Sequence, residues 1–344
     1  MAKQPSVLLI YTGGTIGMIQ DLKSGQLRPF DFKHLKEQIP ELKKFDIRLS
    51  AISFEHPIDS SDMSPDVWVR LAKIIEKNYS KFDGFVILHG SDTMAFTASA
   101  LSFMLGNLAK PVILTGSQLP IGIIRTDGKE NLITAIEIAA AKANRLPVVQ
   151  EVCIYFEYQL YRGNRTHKFN SEQFQAFQSS NYPVLAEAGV HLKYNEQALF
   201  KPLKRKRSLV VHTKLDSNIA ILKLFPGITP ELVKAIVRST GLKALILETF
   251  GSGNCSTQIW FLEILHKAIR NGLVILNITQ CNAGGVEQGK YETSAGLQKI
   301  GVLSGKDMTT EAAVAKLMFV LGRNLTKKEI ARQFSLSLCG EMTI

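Results

Sequence analysis

Short apolar runs, each closed by a turn of glycine and hydroxyl-bearing residues, mark out the first half of the chain. Leu8-Leu9-Ile10-Tyr11 leads into Thr12-Gly13-Gly14-Thr15-Ile16-Gly17. Phe85-Val86-Ile87-Leu88 leads into His89-Gly90-Ser91-Asp92-Thr93, and Val112-Ile113-Leu114 leads into Thr115-Gly116-Ser117-Gln118. Val152 to Phe156 is a further apolar run and predicts a fourth strand. Apolar runs of this length closed by glycine predict interior parallel strands. Ile47 to Ser53 alternates weakly and predicts another strand. Ser64 and Pro65 suit an N-cap and a first helical residue, and Val67, Leu71, Ile74 and Ile75 keep one apolar face to about Tyr79. Further helices are expected from Thr93 to Leu105 and from Asp127 to about Ala143. Strand and helix alternate, which predicts a doubly wound, mostly parallel α/β sheet with helices on both faces. Ile19 to Phe30 is polar and mixed, and reads as a mobile loop or lid. Tyr161 to Asn170 reads as an irregular polar segment carrying Lys168.

Glu196 to Thr213 breaks the pattern. It lacks apolar periodicity and contains the dense basic run Lys201 to Arg207. It is expected to link a larger N-terminal α/β domain (1–195) to a smaller C-terminal one (214–344), with the linker at 196–213. In the second part, Ile219 to Leu224, Ala244 to Leu247 and Val274 to Ile278 predict strands. Thr229-Pro230 opens a helix through Val237, Ser256 to Asn271 forms another, and two helices close the chain. Thr326 and Glu329 have the spacing of a capping box on the last helix.

Composition narrows the function classes. A chain of 344 residues with 45% hydrophobic and 21% charged content has room for two packed cores. The net charge of +11 could attract an anionic partner. No nucleic-acid-binding signature accompanies it, so nucleic acid is not expected. Cys153, Cys255, Cys281 and Cys339 lie far apart without a C-x-x-C pair, which argues against a disulfide framework or zinc site. The seven histidines show no metal-binding spacing, and no bound metal is expected. No stretch approaches the ~18 apolar residues of a membrane helix, and no signal peptide precedes the first strand. A cytoplasmic protein with no membrane partner is the expectation. G-x-S-x-G, G-x-x-x-x-G-K-[ST] and G-x-G-x-x-G are all absent, which leaves little support for an α/β-hydrolase elbow, a Walker loop or dinucleotide binding.

The chemistry sits at the strand ends. Open α/β sheets bind ligands beyond the carboxyl ends of their strands. Four hydroxyl-bearing loops fall there: Thr15, Asp59-Ser60-Ser61, Ser91-Asp92 and Ser117-Gln118. Carboxylates for an ammonium, with hydroxyls and backbone N–H groups for a carboxylate, suit a small zwitterion. Thr15, just past a glycine pair, is the candidate nucleophile. A hydroxyl needs a neighbour to remove its proton. His89, Asp92 and Lys168 are the candidate bases, and a lone strand-end histidine such as His89 is more often a packing residue.

These segments resemble the bacterial-type L-asparaginases, in particular the cytoplasmic type I branch. The likeness covers nearly the whole chain. It is carried by Thr12 to Gly17, Asp59 to Met63, His89 to Met94, Thr115 to Gln118 and Tyr161 to Lys168. The resemblance implies hydrolysis of L-asparagine to L-aspartate and ammonia with no cofactor. It assigns the nucleophile to Thr15, and a second hydroxyl–lysine–carboxylate set to Ser91, Lys168 and Asp92. It gives the substrate's α-amino and α-carboxylate groups to Asp59, Ser60 and Ser61, with Ser117 also lining the site. It places Asn254 where a neighbouring subunit's site is reached, implying a homo-oligomer, dimer or dimer of dimers. A regulatory asparagine site near Cys281 is a further implication. The chain departs from the family pattern twice. Ser91 stands where threonine is usual, and Ser24-Gly25-Gln26-Leu27 lacks the usual lid tyrosine, which makes Tyr291 a candidate substitute and leaves the activating partner of Thr15 open. A tRNA-dependent amidotransferase subunit and a non-catalytic amino-acid sensor are alternative uses of the same fold.

Overall fold

A computed structural model describes residues 4–20, 27–29, 39–201, 207–289 and 292–344. The chain divides into two units, Met1–Thr213 and Lys214–Ile344. In the first, the predicted strands form: β1 (Ser6–Tyr11), β2 (Arg48–Ser53), β3 (Gly84–Leu88), β4 (Val112–Thr115) and β5 (Val152–Phe156). Helices α1 (Pro65–Asn78), α2 (Met94–Met104) and α3 (Gly128–Ala140) connect them. All five strands are parallel, in the order β2-β1-β3-β4-β5. β1 is therefore flanked on one side by the strand that follows it and on the other by β3. The connections run in opposite directions from β1, which opens a crevice at the carboxyl ends of β1 and β3.

Alternation along each strand fixes the two faces. Val7, Leu9, Tyr11, Val86, Leu88, Ile113, Cys153 and Tyr155 pack in one cluster with Leu132, Ala135, Ile136 and Ala139 of α3. The intervening residues, such as Leu8, Ile10, Phe85 and Ile87, are equally buried on the other face. Tyr79, at the end of α1, stacks there on Phe85.

The sheet continues beyond the expected strands. β6 (Gln159–Arg162), β7 (Ala186–Ala188) and β8 (Leu192–Tyr194) add antiparallel after β5. The β5–β6 turn uses Glu157 and Tyr158, both at positive φ (43° and 66°), as a tight primed hairpin requires. The segment from Tyr161 onward is thus not the irregular polar stretch expected. Tyr161, Arg162, Asn164, Arg165 and Thr166 are all buried. The reason is charge pairing. Arg162 Nε donates to Glu151 Oε2 at 2.6 Å, and the rings of Tyr182 and Phe200 lie over its guanidinium. A polar pattern cannot reveal ions that bury one another.

Three other boundaries move. α3 ends at Ala140, short of Ala143, because Lys142–Ala143 turns back on Leu146–Pro147 through Asn144 and Arg145 at positive φ. The span 196–213, expected as a linker, is tied to the first unit at both ends. Ala198 O accepts from Arg162 Nη2 (2.9 Å) and Tyr182 OH (2.8 Å), and Val210–Val211 pairs with Leu105–Gly106. In the expected lid, Met18–Gln20 pairs antiparallel with Leu27–Pro29; the rest of it, including Ser24 to Gln26, lies outside the described residues.

The second unit is a parallel sheet of β9 (Ile219–Lys223), β10 (Ala244–Thr249), β11 (Val274–Thr279) and β12 (Leu303–Ser304) in sequential order. Helices α4 (Pro230–Val237), α5 (Ile259–Arg270) and α6 (Glu292–Lys299) accompany the strands, and Val233, Phe261, Leu265 and Leu297 pack on Leu245, Leu247 and Ile275. Then come α7 (Thr310–Leu321) and α8 (Lys327–Phe334). α8 carries both halves of the capping box between Thr326 and Glu329. Among the described residues, no helix is long and apolar enough to cross a membrane.

Lys316 of α7 is fully buried, its Nζ 2.6 Å from Glu341 Oε1. Lys316 also donates to Leu336 O at 2.8 Å, and Glu341 accepts from the N–H groups of Leu338 and Cys339. Burial raises the Glu341 carboxyl, but Lys316 and those N–H groups more than offset it, so its net shift is downward. Removing one partner of a buried pair strands the other, at a cost of about 3–5 kcal/mol. Glu341→Ala is expected to lose stability on that scale in urea unfolding at pH 7. In the parent, the carboxylate's contribution is present above its unfolded pKa of about 4.3 and is lost as the pH falls through its lower folded value. An unchanged unfolding midpoint in the variant would show that the pair carries no stability.

Candidate active site

Four loops meet at the β1/β3 crevice because glycines let their backbones touch. Thr12 N–H donates to Leu88 O at 3.0 Å, which sets the ends of β1 and β3 level. Gly14 has φ 87°, and a Cβ there would fall 2.4 Å from Gly90 N. A Cβ on Gly13 would fall 2.0 Å from Ile58 O, and one on Gly90 2.7 Å from Ser60 Oγ. The turn after β1 thus rests on the turn after β3, and both rest on the 58–61 loop. Thr15 follows Gly14 as the first residue of a 3₁₀ turn and is half-buried. Ser91 follows Gly90. Thr15 and Ser91 are each one residue from the same backbone contact.

Lys168 arrives from a different element, the short pairing of His167–Lys168 with Phe177–Gln178. Its Nζ donates to Ser91 Oγ at 2.9 Å and lies 2.5 Å from Asp92 Oδ1. The lysine side chain is 14% exposed and that of Asp92 62%, so the amine is held inward while the carboxylate stays wet. Asp92 also precedes the N-terminus of α2, a favourable place for negative charge. The structure therefore brings together the Ser91, Asp92 and Lys168 that the sequence singled out.

The Asp59 loop is a capped turn. Asp59 Oδ1 accepts from Ser61 N–H at 2.8 Å, and the Ser61 N–H and hydroxyl hold its carboxyl below the ordinary range. Thr93 Oγ1 donates to Ser60 O at 2.6 Å, tying this loop to the start of α2. Ser60 is buried and Ser61 exposed. Ser117 donates its proton to Leu119 O at 2.6 Å, so towards a ligand its oxygen can act only as an acceptor. The sequence reading gave no role to Gln118, whose side chain accepts from Ser91 Oγ at 3.4 Å and donates to Gln173 O at 3.0 Å. A polar residue beside a glycine–hydroxyl turn carries no signal that separates it from ordinary turn chemistry.

His89 is a packing residue. Its Nδ1 lies 2.7 Å from Gly90 O and its Nε2 2.9 Å from Thr97 Oγ1, which also accepts from Trp68 Nε1 at 3.0 Å. One neutral tautomer satisfies all of these: Nδ1–H donates to the carbonyl, and Nε2 accepts the threonine proton. Burial lowers the imidazole pKa to about 4.

Asn254, Cys281 and Tyr291 belong to the second unit. Asn254 closes a tight turn, its backbone paired in both directions with Phe250. Cys281 is exposed just beyond β11, and its N–H donates to Thr279 Oγ1 at 3.0 Å. Tyr291 lies outside the described residues. A groove of about 720 Å³ in this unit is lined by Lys234, Arg238 and Lys267. These cations sit in or just after the last turns of α4 and α5, where they offset helix-end carbonyls. Among the described residues, no cluster of three or more His, Cys, Asp or Glu could hold a metal ion.

A five-stranded parallel core in this order, with Ser91, Asp92 and Lys168 joined beside the Thr12–Gly17 turn at its switch point, together with a separate parallel-sheet unit, fits an asparaginase-type amidohydrolase. The chain belongs to the asparaginase family. Residues 6–200 match "Asparaginase, N-terminal" and residues 218–334 match "Glutaminase/Asparaginase C-terminal domain". It is 41% identical over 350 residues to L-asparaginase 1 of Escherichia coli K12, covering 99% of each chain. It is 40% identical over 366 residues to the mouse 60 kDa lysophospholipase, covering 100% of this chain and 64% of that one. Among solved structures, L-asparaginase I from Vibrio cholerae superposes with a TM-score of 0.89 at 38% identity, covering 99% of this chain and 100% of that one.

The histidine geometry has a measurable outcome. A group held neutral by burial costs folding stability once the unfolded chain begins to bind protons. Stability is expected to fall as the pH drops from about 6.5 towards 4, by on the order of 3 kcal/mol. The His89 ring protons, followed by NMR, should titrate near pH 4; a midpoint near 6.5 would contradict the buried neutral assignment.

Proposed function

We propose that this chain hydrolyses L-asparagine to L-aspartate and ammonia, with Thr15 as nucleophile. The observation that carries this reading is the Lys168–Ser91–Asp92 set beside the Gly14–Gly90 contact, one residue from Thr15. Its relationship to enzymes named L-asparaginase supports the same activity. Thr15 Oγ attacks the side-chain amide carbon of asparagine. Backbone N–H groups near Ser91 or Ser117 stabilise the oxyanion, an effect often worth ~3 kcal/mol per donor. The C–N bond breaks, the nitrogen takes up the proton given up by Thr15 and leaves as ammonia, and an ester remains at Thr15.

Water then attacks the ester carbon. Its proton passes to Ser91 as the Ser91 proton passes to Lys168, which must be uncharged to receive it. Thr15 oxygen departs and is reprotonated, freeing aspartate. Asp92 holds the lysine in line. Asp59, Ser60 and Ser61 bind the α-amino and α-carboxylate groups, and Ser117 accepts from the ligand. Hydrolysis is redox-neutral, so the chemistry calls for no cofactor.

The same reading places Asn254 in a neighbouring subunit's site, in a homodimer or dimer of dimers. Phe250 and Ile259, 38% and 75% exposed on either side of Asn254, supply apolar surface suited to such an interface. Tyr291 is the candidate partner that activates Thr15, and the Cys281 region a candidate regulatory asparagine site. The four free cysteines fit a reducing cytoplasm.

Thr15→Ala should reduce ammonia release from asparagine by roughly 10³-fold or more in a coupled assay, because members of a catalytic unit are not dispensable. Near-parental turnover in that variant would refute the assignment. Ser91→Thr is expected to keep activity and to raise kcat modestly, since the added methyl restricts the rotamers of the hydroxyl; a large loss would show that the site cannot accept the methyl. Light scattering on the eluting protein should give a mass at least twice the monomer, and a monomer active at the same concentration would remove Asn254 from the site.

A further inference from the structure

Asp127 immediately precedes α3, where an aspartate commonly accepts a hydrogen bond from its own helix. It makes no such side-chain cap. Thr126 Oγ1 accepts the Gly128 N–H instead, at 2.9 Å. The Asp127 carboxylate is turned back onto the 116–119 loop. Its oxygens accept Gln118 N–H at 2.9 and 3.1 Å and Leu119 N–H at 3.1 Å. Asn131 Nδ2 adds a further donor at 3.2 Å and also holds Gly116 O at 3.0 Å. The residue is 7% exposed, so it is a buried carboxylate whose partners are mostly backbone of that one loop.

The loop held in this way carries Gln118. The Gln118 carboxamide accepts from Ser91 Oγ at 3.4 Å and donates to Gln173 O at 3.0 Å. Gln173 lies in the turn that joins the Lys168 strand to its partner. Gln118 therefore bridges the two elements whose side chains must meet, Ser91 and Lys168. A carboxamide can hold that bridge only if its backbone is fixed, because its contacts point in different directions.

We propose that Asp127 is a positioning residue for the reaction, acting through Gln118 to hold the Ser91 hydroxyl in line with Lys168. This rests on the asparaginase reading above. Burial outweighs the hydrogen bonds in raising the Asp127 carboxyl, a cost borne at a site that does not cap its helix. Asp127→Asn keeps the size but replaces one acceptor oxygen by a donor. In either rotamer the new NH₂ faces a donor, either a backbone N–H or the Asn131 amide. The loop then loses its fixed register.

The test is a double-substitution cycle on the full chain with asparagine, reading kcat, KM and melting temperature. Asp127→Asn and Gln118→Ala are each expected to lower kcat about tenfold to hundredfold, and the double variant to lie within about threefold of the worse single, because both break one linkage. KM should move less than kcat. Effects that multiply in the double variant, or a lowered melting temperature with parental kcat in Asp127→Asn, overturn the proposal. If Asp127→Asn fails to fold, Gln118→Ala decides alone: a parental kcat there overturns it, and a tenfold loss without a change in melting temperature supports it. Thr15→Ala is measured alongside. If it is inactive while the other variants behave as parent, only this inference falls; if it retains full activity, the reading of the nucleophile falls and this inference with it.

Discussion

The first unit depends on a contact between two main chains. Gly14 and Gly90 approach so closely that no side chain could stand between them. That approach is possible because β1 and β3 are hydrogen-bonded neighbours whose following connections diverge. Diverging connections leave open space above the strand ends, and glycine lets the turns fill its floor with backbone rather than side chain. Thr15 and Ser91 are the residues that follow those two glycines. Without the contact, Thr15 and Ser91 would belong to separate loops with independent motions. With it, they share a rigid base.

The other parts of the site are fastened to that base by polar groups that satisfy one another. Asp59 caps its own turn, Thr93 holds Ser60, and Asp127 gathers the backbone of the 116–119 loop. His89 lies beneath these loops as a neutral ring whose two nitrogens are both engaged. An unpaired polar atom there would cost stability, so such networks tend to be complete or absent. At Asp59, Ser61 and Asp92 the arrangement opens to solvent, and the Asp92 carboxylate faces the Lys168 amine.

Much of this was legible in the sequence. The parallel strands could be read from apolar runs closed by glycine, and each lies within a few residues of its expected place. Thr15, Asp59, Ser60, Ser61, Ser91, Asp92 and Ser117 could be located because each stands beside such a strand or the helix following one. Lys168 was harder. It comes from a two-residue strand pairing with no periodic pattern, so the residues offered it only as one of three candidate bases, and the family resemblance singled it out. The buried Arg162–Glu151 pair left no mark in the sequence, where Arg162 fell within an expected irregular polar segment, because each charge, taken alone, predicts exposure. The turns at Glu157–Tyr158 and Asn144–Arg145 gave no glycine signal, since non-glycine residues take positive φ there. Asp127 was placed only at the start of a helix, and its side-chain direction shows that it serves another loop.

The pair between Lys316 and Glu341 bears on how the chain is made. Synthesis runs from the N-terminus, and the ammonium of Lys316 is complete well before its counter-ion exists. Until the ribosome has passed Glu341, the second unit can bury that lysine only without its counter-ion, which desolvation opposes. The first unit has no such wait and can fold as a body while translation continues. The buried ion pair of the second unit therefore cannot close until Glu341 is in place.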